Sequence, residues 1–97
     1  MGWASGHIQK LIAGETVHFR PHGNSMLPRI KSGQLCTVSP VSLDDVKVGD
    51  VILCKVHGRE FLHLVSAIRG GQLQISNNHG HINGWIGPKS VYGKLVE

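Results

Sequence analysis

A mostly β fold is predicted here: a compact antiparallel sheet that curls or partly closes, with one short N-terminal helix. Short apolar segments recur at close spacing, each bounded by glycine, proline or small polar residues. Thirteen glycines among 97 residues supply the turns that such a chain of hairpins needs. Only the N-terminal segment spaces its apolar residues as a helix does. The length suits one domain, residues 1–97, with the helix inside 1–15 and a β core over 16–97.

Taken in order, "SGHIQKLIAGE" offers Ser5 as a cap, Ile8, Leu11 and Ile12 as the apolar face, and Gly14 as the stop. "TVHFRP" alternates as a strand, with Val17 and Phe19 on one face. "HGNSMLP" is a turn, in which Pro28 keeps Leu27 out of helical geometry. "SGQLCTVSPV" reads as a glycine-led strand that ends at Pro40. "SLDDVKVGD" is a polar connection containing a buried valine pair. "VILCKV" and "EFLHLVSAI" flank "HGR" as a hairpin, and Gly70-Gly71 turns the chain into "GGQLQIS". After Gly87-Pro88 the final strand lies within "SVYGKLVE".

Composition excludes several classes of function. Charged residues at 16% and hydrophobic residues at 40% do not describe a disordered chain. No apolar run reaches the ~18 residues of a membrane span. "MGWASGHIQK" lacks the basic start and apolar stretch of a signal peptide, so a soluble cytoplasmic protein is expected. The net charge of +4 is scattered along the chain rather than gathered as a nucleic-acid footprint. Cys36 and Cys54 read as buried thiols of a reducing compartment. His79-Gly80-His81 has no cysteine or acid beside it, so no metal and no cofactor is expected.

Two residues are candidates for chemistry. Strict alternation in "EFLHLVSAI" puts Phe61, His63, Val65 and Ala67 on one face and Leu62, Leu64, Ser66 and Ile68 on the other. His63 on an apolar row is either a satisfied core histidine or a general base held in a dry site. Ser25, exposed on a glycine-opened turn, is either a turn residue or a nucleophile, and a nucleophile needs a base beside it and donors for the developing oxyanion.

The blocks "GNSMLPRIKSGQLCTV", "VKVGDVILCKVHGREFLHLV" and "SNNHGHINGWIGPKSVYGKLVE" together resemble the serine peptidase superfamily of signal peptidases and LexA-type repressors, over about residues 17–96. That resemblance implies the LexA and signal-peptidase type of sheet, a Ser25 nucleophile, and Met26 and Pro28 as parts of its box. It implies His63 as the base, where bacterial members carry lysine and the endoplasmic-reticulum and archaeal branch carries histidine. Gly23 and Asn24 fall at the positions that assist the oxyanion hole, with the Asn24 amide as a further donor. A protein or peptide substrate is then expected as an added strand beside residues 17–23 and 51–55, with small residues at the scissile bond.

Three departures accompany the likeness. Ser76-Asn77-Asn78 replaces the family's Gly-Asp-Asn, and no acid follows, so His81 or Asn83 stands as the possible third member. The membrane anchor and the large bacterial insert have no counterpart. Ala13-Gly14 resembles a self-cleavage bond, but its closeness to Ser25 reads as an ordinary helix end. The competing expectation is a weak or inactive member of the fold that captures a peptide or protein.

Overall fold

The computed structural model describes residues 2–96. It contains helix α1 (Ser5–Ile12) and strands β1 (Val17–Phe19), β2 (Cys36–Ser39), β3 (Val51–Val56), β4 (Arg59–Arg69), β5 (Gln72–Ser76), β6 (Ile82–Ile86) and β7 (Val91–Val96). The stripe of α1 that meets the sheet is Ala4, Ile8 and Leu11, spaced i, i+4, i+7. Ile12 lies outside this stripe and is 71% exposed, which corrects the apolar face read from the sequence.

Ser5 is not the helix cap. Ala4 holds that position, and the carboxylate of Glu60 on β4 replaces the side-chain cap. Its Oε1 accepts the Ala4 N–H at 2.7 Å, and its Oε2 accepts the Ser5 hydroxyl at 2.8 Å. A carboxylate at a helix N-terminus satisfies free N–H groups and complements the dipole. The contact therefore ties α1 to the start of β4. Gly14, at φ +89°, ends the helix as expected.

All seven strands join one antiparallel sheet in the order β1-β2-β7-β3-β4-β5-β6, open, with β1 and β6 as its edges. Strand β3 runs between β7 and β4 and is buried on both faces, which accounts for the unbroken run Val-Ile-Leu-Cys. Val51 and Leu53 pack toward α1, Met26 and Ile30, while Ile52, Cys54 and Val56 pack with Val65, Leu73 and Ile75. The two predicted hairpin turns, His57-Gly58 and Gly70-Gly71, both have positive φ at each central residue, as tight hairpins require. Cys36 and Cys54 are both buried and free, and burial pushes the Cys54 thiol up to about 12.

Two irregularities and one strand depart from the sequence reading. Val65 pairs with Ile75 but Ala67 pairs with Gln74, so Ser66 forms a bulge. The row Phe61-His63-Val65 consequently ends before Ala67, which turns to the other face. Strand β6 was not expected, because Asn83 and Gly84 interrupt its apolar alternation. Of the expected valine pair between β2 and β3, Val46 is buried and Val48 is 59% exposed. Among the described residues, no helix is long and apolar enough to cross a membrane.

Candidate active site

Ser25 lies exposed on the long connection between β1 and β2. Gly23, at φ +118°, opens the turn, and Leu27-Pro28 is a cis peptide. Met26 and Ile30 anchor the segment by burying their side chains beside α1 and β3. The Ile30 N–H donates to the Met26 carbonyl at 2.9 Å. The exposed serine is thus flanked directly by a core residue, which limits where its hydroxyl can point.

The loop between β5 and β6 clamps this turn. The Asn78 main-chain N–H donates to the Ser25 carbonyl at 2.9 Å, and its side-chain amide donates to the Leu27 carbonyl at 3.0 Å. The His79 ring donates from Nε2 to the Asn24 carbonyl at 3.0 Å. Asn77 shapes the loop from within, its Oδ1 accepting the N–H groups of His79 and His81, each at 2.9 Å. The Ser76-Asn77-Asn78 segment therefore holds the serine's backbone rather than adding an acid.

His63 comes from the strand beside β3 and is 7% exposed. Its Nε2 stands 3.0 Å from Ser25 Oγ, and its Nδ1 stands 2.7 Å from Asn83 Oδ1. An amide oxygen can only accept, so Nδ1 carries the proton and donates to Asn83. That leaves the Nε2 lone pair to accept from the Ser25 hydroxyl, the arrangement in which an imidazole acts as a base. Burial holds the His63 pKa below its ordinary 6.5; the Asn83 hydrogen bond opposes that, and the nearby His81 charge adds to it.

Asn83 reaches His63 because of a defect in the sheet. Ile75 pairs with Gly84 and Ser76 pairs with Ile82, so Asn83 is the extra residue of a bulge in β6. Gly84, at φ +149°, lies so close to Val56 that an added Cβ would sit 3.1 Å from its Cγ1. Strand β6 thus folds back toward β3 and carries Asn83 over the face that holds His63. His81, the other possible third member, is exposed and acts on His63 only through its charge.

The family resemblance implies the nucleophile's own N–H as oxyanion donor, helped by Gly23 and Asn24, and one of these helpers falls away. The Gly23 N–H is occupied by Ser32 Oγ at 3.1 Å, so it has no free hydrogen to offer. The Ser25 main-chain N–H makes no hydrogen bond among the described residues, which leaves it as the available donor. The substrate geometry also needs correction. β3 pairs along Ile52–Cys54 with β4 on one side and β7 on the other, so no strand can be added beside residues 51–55. A groove of about 1200 Å³ instead runs from Ser25 and His63 between residues 20–23, α1 and the start of β4. The edge at β1 leads into it.

Among the described residues, no group of three or more His, Cys, Asp or Glu is placed to hold a metal ion. Compared with models of protein families and with curated proteins, the chain matches none. The bulge at Asn83 was legible only as an Asn-Gly pair inside a weak strand, a pattern that marks bulges. The clamp by Asn78 and His79 joins residues more than fifty positions apart and left no local signal.

Proposed function

We propose that the chain is a serine peptidase of the signal-peptidase and LexA type, with Ser25 as nucleophile and His63 as general base. The observation that carries this is the continuous hydrogen-bonded line Ser25–His63–Asn83, at 3.0 and 2.7 Å. A turn serine and a core histidine with merely structural roles need no such alignment. The lowered His63 pKa supports it as well, since the neutral imidazole prevails at neutral pH.

In the mechanism, His63 Nε2 takes the Ser25 proton as Oγ bonds to the peptide carbonyl carbon. The negative charge that develops on the carbonyl oxygen is stabilised by the Ser25 N–H. The imidazolium returns its proton to the departing amine nitrogen, and the C–N bond breaks to leave an ester on Ser25. Water, deprotonated by His63, then hydrolyses that ester. The neutral Asn83 fixes the tautomer and ring orientation, as a triad's third member does, but supplies no negative charge opposite the imidazolium. Slow turnover follows from that difference. No step calls for a cofactor.

The same neutral Asn83 favours a second reading, in which the fold captures a peptide without cleaving it. Cleavage of a diverse peptide library, read by mass spectrometry, separates the two. The peptidase reading expects cut products with wild type that disappear in both Ser25→Ala and His63→Ala. A wild type that cuts nothing beyond what Ser25→Ala cuts leaves only the binding reading.

A further inference from the structure

The groove beside Ser25 has a chemistry of its own. Apolar side chains form much of its floor: Met26, Ile30 and Phe61, with Ile8 and Ile12 of α1 beside the polar Ser5 and Gln9. Two large side chains there are exposed: Trp3 at 52% and Ile12 at 71%. Exposed apolar groups of this size gathered along a cleft mark a surface made to be covered. A site for small residues alone would need a narrow pocket, and this one is wide.

The groove is also cationic. Arg20, Lys55 and Arg59 line it, and none of them forms an ion pair among the described residues. The Arg59 guanidinium lies 5.7 Å from the centre of the Phe61 ring, which holds its charge beside the apolar floor. Among the described residues, Glu60 is the single carboxylate in the lining, and both its oxygens are engaged by the N-terminus of α1. A ligand thus meets three cations and no free anion. Complementary charge of this kind sets selectivity and encounter rate.

We infer that the groove selects acidic peptides carrying a bulky apolar residue close to the scissile bond. This rests on the peptidase reading for the bond cleaved, though not for the binding. Apolar side chains of the peptide lie along Trp3, Phe61 and Ile12, and flanking Asp or Glu side chains meet Arg20, Lys55 and Arg59. It replaces the small-residue preference that the family resemblance implies. It also makes α1 part of the specificity site, held there by Glu60.

Two readouts test it. One is the residue preference around the sites that wild type cuts in a randomised peptide library. The other is binding of acidic, neutral and basic pools of Leu- and Phe-containing peptides to Ser25→Ala, followed by fluorescence anisotropy. Cut sites should be enriched in bulky apolar residues at the bond and in Asp or Glu nearby. Ser25→Ala should bind the acidic pool roughly tenfold more tightly than the basic pool, the sum of three exposed charge contacts.

That ratio should fall with added salt. Adding Lys55→Glu and Arg59→Glu should reverse it, and the milder Lys55→Gln with Arg59→Gln should lower it. Lys89→Glu, outside the groove, should leave it unchanged. Equal binding of acidic and basic pools, or cut sites rich in small residues with no charge bias, overturns the inference while the peptidase reading stands. Charge-selective binding without any cleavage sinks the peptidase reading and keeps the groove's selectivity. Neither binding nor cleavage overturns both.

Discussion

The two halves of the candidate dyad are held in opposite ways. His63 sits in the middle of the sheet, its backbone fixed by the ladder to β3 and its ring fixed by Asn83. Ser25 sits on an exposed turn whose position depends on hydrogen bonds from the β5–β6 loop. A strand places a side chain through register, and register changes only when the sheet does. A clamped turn can shift by fractions of an ångström while the fold survives. Damage at the base should therefore cost folding and activity together, and damage at the clamp should cost mainly activity.

The largest expected effect bears on the chemistry that the two halves share. His63→Ala should lower the cleavage rate by about 10²–10⁴-fold, the usual contribution of a positioned base. Ser25→Ala should remove activity altogether and leave thermal unfolding nearly unchanged, because Ser25 is exposed. A large loss of stability in Ser25→Ala would show that the turn is part of the core and would erase the contrast.

Next in size is the test of the base's support. Ile52 is fully buried and lies directly opposite His63 in the β3–β4 ladder. Ile52→Ala should destabilise the protein by about 2–5 kcal/mol, measured by denaturant unfolding. Asn78→Ala, at the clamp, should cost only about 1 kcal/mol in the same experiment. Its cleavage rate should nevertheless fall by roughly tenfold, since small misplacement of a nucleophile is costly. Equal stability losses for the two variants would contradict the comparison.

Asn83 offers a sharper, smaller test. Asn83→Asp places a carboxylate against Nδ1, which stabilises the imidazolium and raises the His63 pKa. Cleavage at pH 8 should rise severalfold, and the rising limb of kcat/KM should move to higher pH. In wild type that limb should lie below 6.5, because burial lowers the His63 pKa. Folding stability should be fully present above 6.5 and be lost as pH falls through the lower, folded-state pKa, since the unfolded chain binds this proton first. A limb at or above 6.5 in wild type would show that burial does not govern the ring.

Most strands were legible because period-two alternation and glycine turns are local signals. β3, β4 and β5 follow from Val51–Val56, His57-Gly58 and Gly70-Gly71 alone. The placement of β7 between β2 and β3 was not legible, since such pairing is decided by which apolar faces remain uncovered. The role of Glu60 as the cap of α1 was hidden for a similar reason: its partners lie more than fifty residues away. Alternation also misassigned Ala67, because one bulged residue reverses every later side chain. At the site, Ser25 and His63 were each ambiguous in isolation. Their juxtaposition was expected from family resemblance, and the bulge that delivers Asn83 left only the Asn83-Gly84 pair as a local trace.

Reaction with a fluorophosphonate probe, located by mass spectrometry of the digested protein, tests the central claim most directly. An activated serine attacks phosphorus and displaces fluoride, whether or not a peptide substrate is known. The account predicts one adduct, on Ser25, absent in Ser25→Ala and formed at least about 100-fold more slowly in His63→Ala. Labelling that spares Ser25, or that proceeds equally fast without His63, would contradict it.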